Sequence, residues 1–221
     1  MTSPVIWNVL KLGGGGYVTG IDIAPDGTKI IKTDVGGGYV WNDTTEQWDQ
    51  FITSTSMPVA DVGPSEIGGT GQGYGVWAIC IAPSLTTRFV IQWRGYTYLS
   101  DDSGATWTKV TSIPRCSQSG TFDASANGGA RLTNQKIIID PANPNVWLVS
   151  VPSNTVDDCG VWYTDDAGST ASRITDITSP TLASGHAGMC FDESGGTTGG
   201  LTNNIYVPSR GNGVWCSDDT A

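Results

Sequence analysis

"GIDIAPDG", Gly20–Gly27, returns three times along this 221-residue chain: as "AICIAPSL" from Ala78, "KIIIDPAN" from Lys136 and "GMCFDESG" from Gly188. Pro25, Pro83 and Pro141 hold the same place in the first three copies, 58 residues apart each time, and Glu193 holds it in the fourth. Each copy is a short apolar or alternating run closed by turn residues, which is the pattern of a β-strand. A second such run follows every copy: "KIIKTD", "RFVIQW", "VWLVSV" and "NIYVPS". A third comes after a variable loop: "GYVWN", "YTYLSDD", "GVWYTDD" and "GVWCSDD". "QWDQF" and "TWTKV" supply a fourth, and "SRITDI" a fainter one. Four strands per repeat make the blade of a β-propeller. The expected fold is therefore all-β, a single partial propeller over 1–221 with about four four-stranded antiparallel blades. The repeat units fall near 13–53, 75–112, 130–178 and 185–221, the last one cut short, so the chain reads as part of a longer protein.

Composition agrees. Thirty glycines, nine tryptophans, seven tyrosines and only 14% charged residues suit short strands joined by tight turns. The net charge of −10, with no run of Lys or Arg, excludes a phosphate-backbone binder. A neutral polymer such as a polysaccharide fits this balance. No apolar stretch reaches the length of a membrane span. "MTSPVIWNVLKL" lacks the basic-then-apolar pattern of a secretory leader, so the protein is expected outside the cell by another route or released by lysis. Among Cys80, Cys116, Cys159, Cys190 and Cys216 there is no C-x-x-C pair, and His186 is the single histidine. No metal or other cofactor is expected. Cys116–Cys159 and Cys190–Cys216 are pairings the spacing leaves open.

The third-strand ends carry a second repeat. "SDDSGATW", with Ser100, Asp102, Gly104 and Trp107, fits the Asp-box pattern S-x-D-x-G-x-T-W in full. "TDDAGSTA" keeps Asp166 and Gly168, and "SDDTA" begins the pattern again at Asp219. Aspartates at such hairpins bond local backbone N–H groups, so these acids are expected to be structural.

Asp34, in "KTDVGGGYVW", stands at the opposite end of its blade, between second and third strands. Two readings are open: a turn-forming residue, or a carboxylate presented to a cleft. Its face of the propeller also collects Trp93 and Arg94, then Arg210 and Asn212, with long loops at 53–75 and 116–129. Aromatic platforms and polar groups are what sugars require, although Trp93 is equally at home in packing.

"GGGGYVTGIDIAPDG…KIIKTDVGGGYVWN…TEQW", "GARLTNQKIIIDPANPN" and "SRGNGVWCSDD" resemble family 74 glycoside hydrolases. The resemblance runs from about Trp7 to the last residue and is most specific at T-D-V-G-G. It implies two seven-bladed propellers facing a cleft, and hydrolysis of xyloglucan or a related β-1,4-glucan with inversion. It implies that Asp34 is the general base, and that the general acid lies on a second propeller absent from this chain. Relatives often have alanine at Gly38 and arginine at Val40. The alternative function is a non-catalytic carbohydrate-binding or structural propeller on a cell surface or virus particle.

Overall fold

A computed structural model describes residues 8–14, 16–34, 36–62, 75–116, 136–152, 158–177, 188–209 and 212–217. The first sheet holds β1 (Val18–Ile23), β2 (Lys29–Thr33), β3 (Gly38–Asn42) and β4 (Gln47–Gln50) in chain order. A four-residue helix, α1 (Val59–Val62), lies on the way to the second sheet. That sheet is β5 (Val76–Ala82), β6 (Leu85–Trp93), β7 (Tyr96–Ser100) and β8 (Thr108–Val110). The third is β9 (Ile137–Ile139), β10 (Trp147–Val151), β11 (Gly160–Thr164) and β12 (Ser172–Arg173). The fourth has three strands among the described residues, β13 (Cys190–Thr198), β14 (Leu201–Ser209) and β15 (Gly213–Ser217). Every pairing is antiparallel and between sequence neighbours. Such meandering sheets, laid side by side, are the blades of a propeller.

The repeat copies became first strands. β1, β5, β9 and β13 together line one channel of about 230 Å³, whose walls include Ile21, Ile79, Ile81, Ile137, Ile139 and Phe191. Ile79, Ile81, Ile137 and Ile139 are buried, as strands at a shared axis should be. Ile21 and Ile23 differ: they are 54% and 56% exposed. They alternate with Asp22, whose side chain turns toward the second sheet, so the two isoleucines lie on the face of β1 that no described sheet covers.

Between blades, apolar side chains interdigitate and polar ones reach across to backbone. Phe51, Phe89 and Trp107 pack with ring centroids 6.2 and 5.4 Å apart, and the Trp107 indole donates to Phe51 O at 2.9 Å. Asp22 accepts the Ile81 N–H at 2.7 Å, and burial in this seam raises its pKa above the ordinary carboxylate value. In the next seam Gln92 donates to Ser150 O at 3.0 Å and Arg88 to Pro144 O at 3.0 Å. Asp140 accepts both the N–H and the hydroxyl of Thr202, joining the third sheet to the fourth. A groove of about 590 Å³ remains there, lined by Ile174, Ile177, Ile205, Val207 and Trp215.

No disulfide links the described cysteines. Cys190 and Cys216 face Tyr206 from opposite sides as its strand partners. Two inter-strand steps separate them, about 9.5 Å, beyond the reach of a disulfide.

At the β7–β8 hairpin, Asp102 accepts the Thr106 N–H at 2.8 Å, the Thr106 hydroxyl at 2.6 Å and the Ser100 hydroxyl at 2.7 Å. These bonds, led by the Thr106 hydroxyl, hold its pKa below the ordinary value. Asp166 repeats the arrangement with Thr170 and Thr164. Gly104 is in the left-handed region (φ 88°) and abuts Phe51, so the hairpin presses on the neighbouring blade. Asp219 lies outside the described residues. Asp102→Ala is expected to lower stability by about 1 kcal/mol in urea denaturation, with no change in affinity for any sugar.

Candidate active site

The site begins at the β2–β3 corner. Thr33 closes it: its N–H and hydroxyl both donate to Gly37 O, at 2.9 and 3.1 Å, and its Oγ1 accepts the Gly36 N–H at 2.9 Å. Gly37 takes φ 112°, a conformation that suits only glycine. Asp34 follows and is locked to the strand before it. Its N–H donates to Tyr17 O at 3.0 Å, and its Oδ1 accepts the Tyr17 N–H at 2.8 Å.

The glycines around Asp34 leave no space for side chains. A Cβ on Gly16 would stand 2.6 Å from Asp34 Oδ1, and one on Gly75 would stand 1.9 Å from Asp34 O. A Cβ on Gly38 would meet the Phe51 ring at 2.3 Å, so the departure from alanine at this place is matched to the large aromatic beside it. Val40 packs against the same core cluster, which explains an apolar residue there. Tyr39 is buried beneath the corner, with its hydroxyl on Gly36 O at 3.1 Å.

Asp34 is 2% exposed. The corner thus holds Asp34 at the floor of the face rather than in an open groove, because Tyr17 and Gly16 close in on its carboxylate and Gly75 on its backbone carbonyl. Lys32, two residues earlier, is also fully buried, and its ammonium donates to Thr19 Oγ1 at 2.8 Å. Burial lowers its pKa to about 8, while the negative charge of Asp34 opposes that shift. Lys136 is buried too; its pKa is lowered to about 7, first by burial and then by the charge of Lys32. In the unfolded chain both amines would hold their protons up to the ordinary lysine value. The folded chain therefore binds fewer protons between about pH 7 and the mid-10s, and these two groups cost stability at low pH that is recovered as pH rises through that window.

Arg94 and Trp93 lie next to this corner. The Arg94 N–H donates to Gly75 O at 3.5 Å, and Gly75 touches Asp34. Yet Trp93 is only 7% exposed, not a free platform. Its indole N–H donates to Asp61 O at 3.1 Å and the Arg94 guanidinium covers its ring, 5.0 Å from the centroid. Arg94 itself is buried and donates to the same carbonyl at 2.9 Å. The Asp61 carboxylate bridges to Lys109 at 2.6 Å. Tyr96 has Lys109 at 4.2 Å and Arg115 at 4.7 Å from its ring, so two cations compete for its faces. Asn212 belongs to the fourth sheet, at the turn into β15, with its N–H on Ser209 O. Arg210 lies outside the described residues.

Lys32, Lys136, Asp61 and Gly75 were not singled out from sequence. The lysines could have been noticed as cations inside apolar runs, "KIIKTD" and "KIIID". Nothing in the pattern around Asp61 marks it for burial.

No family model matches the chain. A xyloglucanase of Hypocrea jecorina is 27% identical across 93% of this chain and 25% of its own length. A Paenibacillus xyloglucanase is 27% identical across 93% of this chain and 20% of itself. The chain is similar over nearly all its length to these xyloglucanases and to family 74 glycoside hydrolases. The crystal structure of the Niastella koreensis family 74 enzyme superposes with a TM-score of 0.70 at 26% identity, covering 96% of this chain and 29% of that one. The Xanthomonas campestris family 74 xyloglucanase shares the fold, with a TM-score of 0.72 at 22% identity. The chain spans about a fifth to a quarter of the length of the curated relatives it matches. Among the described residues no helix is long and apolar enough to cross a membrane.

Because Gly75 meets backbone rather than a movable side chain, Gly75→Ala should cost about 3 kcal/mol or more. Gly27 has a similar φ, 91°, with open space around it, so Gly27→Ala should cost only about 1 kcal/mol. Urea denaturation of both variants checks the difference; equal losses would contradict the close packing at Asp34.

Proposed function

We propose that this chain is a propeller portion of a glycoside hydrolase acting on xyloglucan or a related β-1,4-glucan, with the units near 13–53, 75–112, 130–178 and 185–221 as its blades. The observation that carries this reading is the T-D-V-G-G corner, which holds Asp34 rigidly in a chain similar to xyloglucanases over nearly all its length. Asp34 is the general base. An inverting mechanism uses it to take a proton from water while a second carboxyl, roughly 6.5–9.5 Å away, protonates the leaving oxygen. That acid and the remaining blades come from outside this chain. Water must come within hydrogen-bond reach of the buried Asp34 carboxylate, so the local packing of Tyr17 against it has to loosen when substrate arrives. An extracellular polymer places the protein outside the cell.

A second reading has specific support. The burial of Asp34 and of Trp93 suits a non-catalytic carbohydrate-binding or structural module on a cell surface or virus particle.

Calorimetric titration with xylogluco-oligosaccharides, and reducing-sugar release by a two-propeller form, separate the two. The hydrolase reading expects weak binding by this chain without turnover. It expects turnover by the longer form, lost in Asp34→Asn with binding largely kept, because an amide cannot take the proton. No binding by this chain, together with longer-form activity untouched by Asp34→Asn, would leave the module reading standing.

A further inference from the structure

One cross-strand row recurs in all four sheets. It is Asp22, Ile30 and Val40 in the first sheet and Cys80, Val90 and Leu99 in the second. It is Ile138, Leu148 and Tyr163 in the third, and Cys190, Tyr206 and Cys216 in the fourth. Register partners on adjacent strands share a face, so each row marks one face of its sheet. In the first three sheets that face is covered by the first strand of the sheet that follows. Ile30 and Val40 share a core cluster with Ile79 and Ile81. Val90 and Leu99 share one with Ile137 and Ile139, and Leu148 and Tyr163 with Met189 and Phe191. Asp22 also reaches across the first of these seams to the Ile81 N–H.

The fourth row has no such cover among the described residues. Cys190 and Cys216 are exposed, and Tyr206 is half-buried. Val214, two residues before Cys216 and on the same face, is 67% exposed. At the other end of the chain, Ile21 and Ile23 occupy the repeat positions of Ile79 and Ile81, of Ile137 and Ile139, and of Met189 and Phe191. They too are exposed. The chain thus carries both halves of a seam that it builds three times over. Within one copy the two halves stay open to solvent rather than covering each other. They also suit each other in charge: Asp192 follows Cys190 by two residues, and Lys29 is the strand partner of Ile23.

We propose that two copies of this chain associate head to tail, the face of Cys190, Tyr206 and Cys216 on each covering the face of Ile21 and Ile23 on the other. Each contact continues the series of seams inside the chain. Such a pairing is heterologous, and it ends when the rotation returns to the first copy. With four sheets in each copy, the pair falls within the four to eight blades of closed propellers. Closure covers both apolar faces and leaves no place for a third copy to add. The pairing does not depend on Asp34 being a base.

Sedimentation equilibrium of this chain over a concentration series tests the pairing, with Ile23→Glu on one face and Val214→Glu on the other. A reductant keeps Cys190 and Cys216 from cross-linking. Both substituted positions are exposed, and circular dichroism checks that each variant folds; should either fail, Ile21→Glu or Cys216→Glu replaces it on the same face. The wild type should reach twice the mass of one chain. Each variant alone should stay monomeric where the wild type is a dimer, because either substitution spoils both seams of the ring. An equimolar mixture of the two keeps one intact seam, so it should dimerise more weakly than the wild type and more strongly than either variant. A wild type that is monomeric at every concentration overturns the proposal. So does a dimer lost with only one of the two substitutions, which is like-face pairing, or a mass that keeps rising, which is an open row of copies. A dimer without affinity for xylogluco-oligosaccharides would count against the hydrolase reading alone, and a sugar-binding monomer against this proposal alone.

Discussion

The backbone of Gly75 lies against the backbone carbonyl of Asp34, with no room for even a methyl group between them. Much of the candidate site follows from this contact. It brings the entry of the second blade onto the β2–β3 corner of the first. It sets Arg94 beside Asp34, since Arg94 donates to Gly75 O. It also covers the Asp34 backbone, while Gly16 and Tyr17 close in on the carboxylate. A side chain at Gly75 would force the two blades apart at the one place where the proposed chemistry needs them together.

Elsewhere the seams between blades combine apolar packing with side chains that reach across to backbone. Trp107 on Phe51 O, Asp22 on the Ile81 N–H and Asp140 on Thr202 each satisfy a buried polar group of one blade with a partner from the next. Unpaired, such groups would be costly in a low-dielectric seam. The apolar half of each seam is adaptable: an aromatic set of Phe51, Phe89 and Trp107 in the first, and Val110, Ala171 and Trp147 in the second. The first blade's outer face, with Ile21 and Ile23, and the groove beside Trp215 at the other end present apolar surface to solvent. Contiguous apolar surface of this kind marks an interaction site.

The fold was legible because its signals are local and repeated. Pro25, Pro83 and Pro141 end equivalent strands at equal intervals, and turn chemistry recurs at Asp102 and Asp166. The T-D-V-G-G corner was legible as a place, and its glycines have the steric roles that such a run suggests. Exposure was not legible. In sequence Trp93 is open between sugar platform and packing residue; in the structure Asp61, from a connection 32 residues earlier, accepts its indole N–H. Ile21 and Ile23 belong to an alternating apolar run, yet they stay exposed, because β1 packs against a neighbouring sheet on one side only among the described residues. Both outcomes depend on long-range packing, which periodicity does not encode. The burial of Lys32 and Lys136 is of the same kind: a cation in an apolar run has no local reason to stay inside.

The central claim is that Asp34 is the point at which this chain meets a glucan. A crystal structure of the chain with a xylogluco-oligosaccharide tests it most directly. The account predicts a glucan backbone lying over the β2–β3 corner, with Tyr17 shifted and a water held between the sugar and the Asp34 carboxylate. A sugar bound elsewhere, with Asp34 still closed beneath Tyr17 and Gly75, would contradict it.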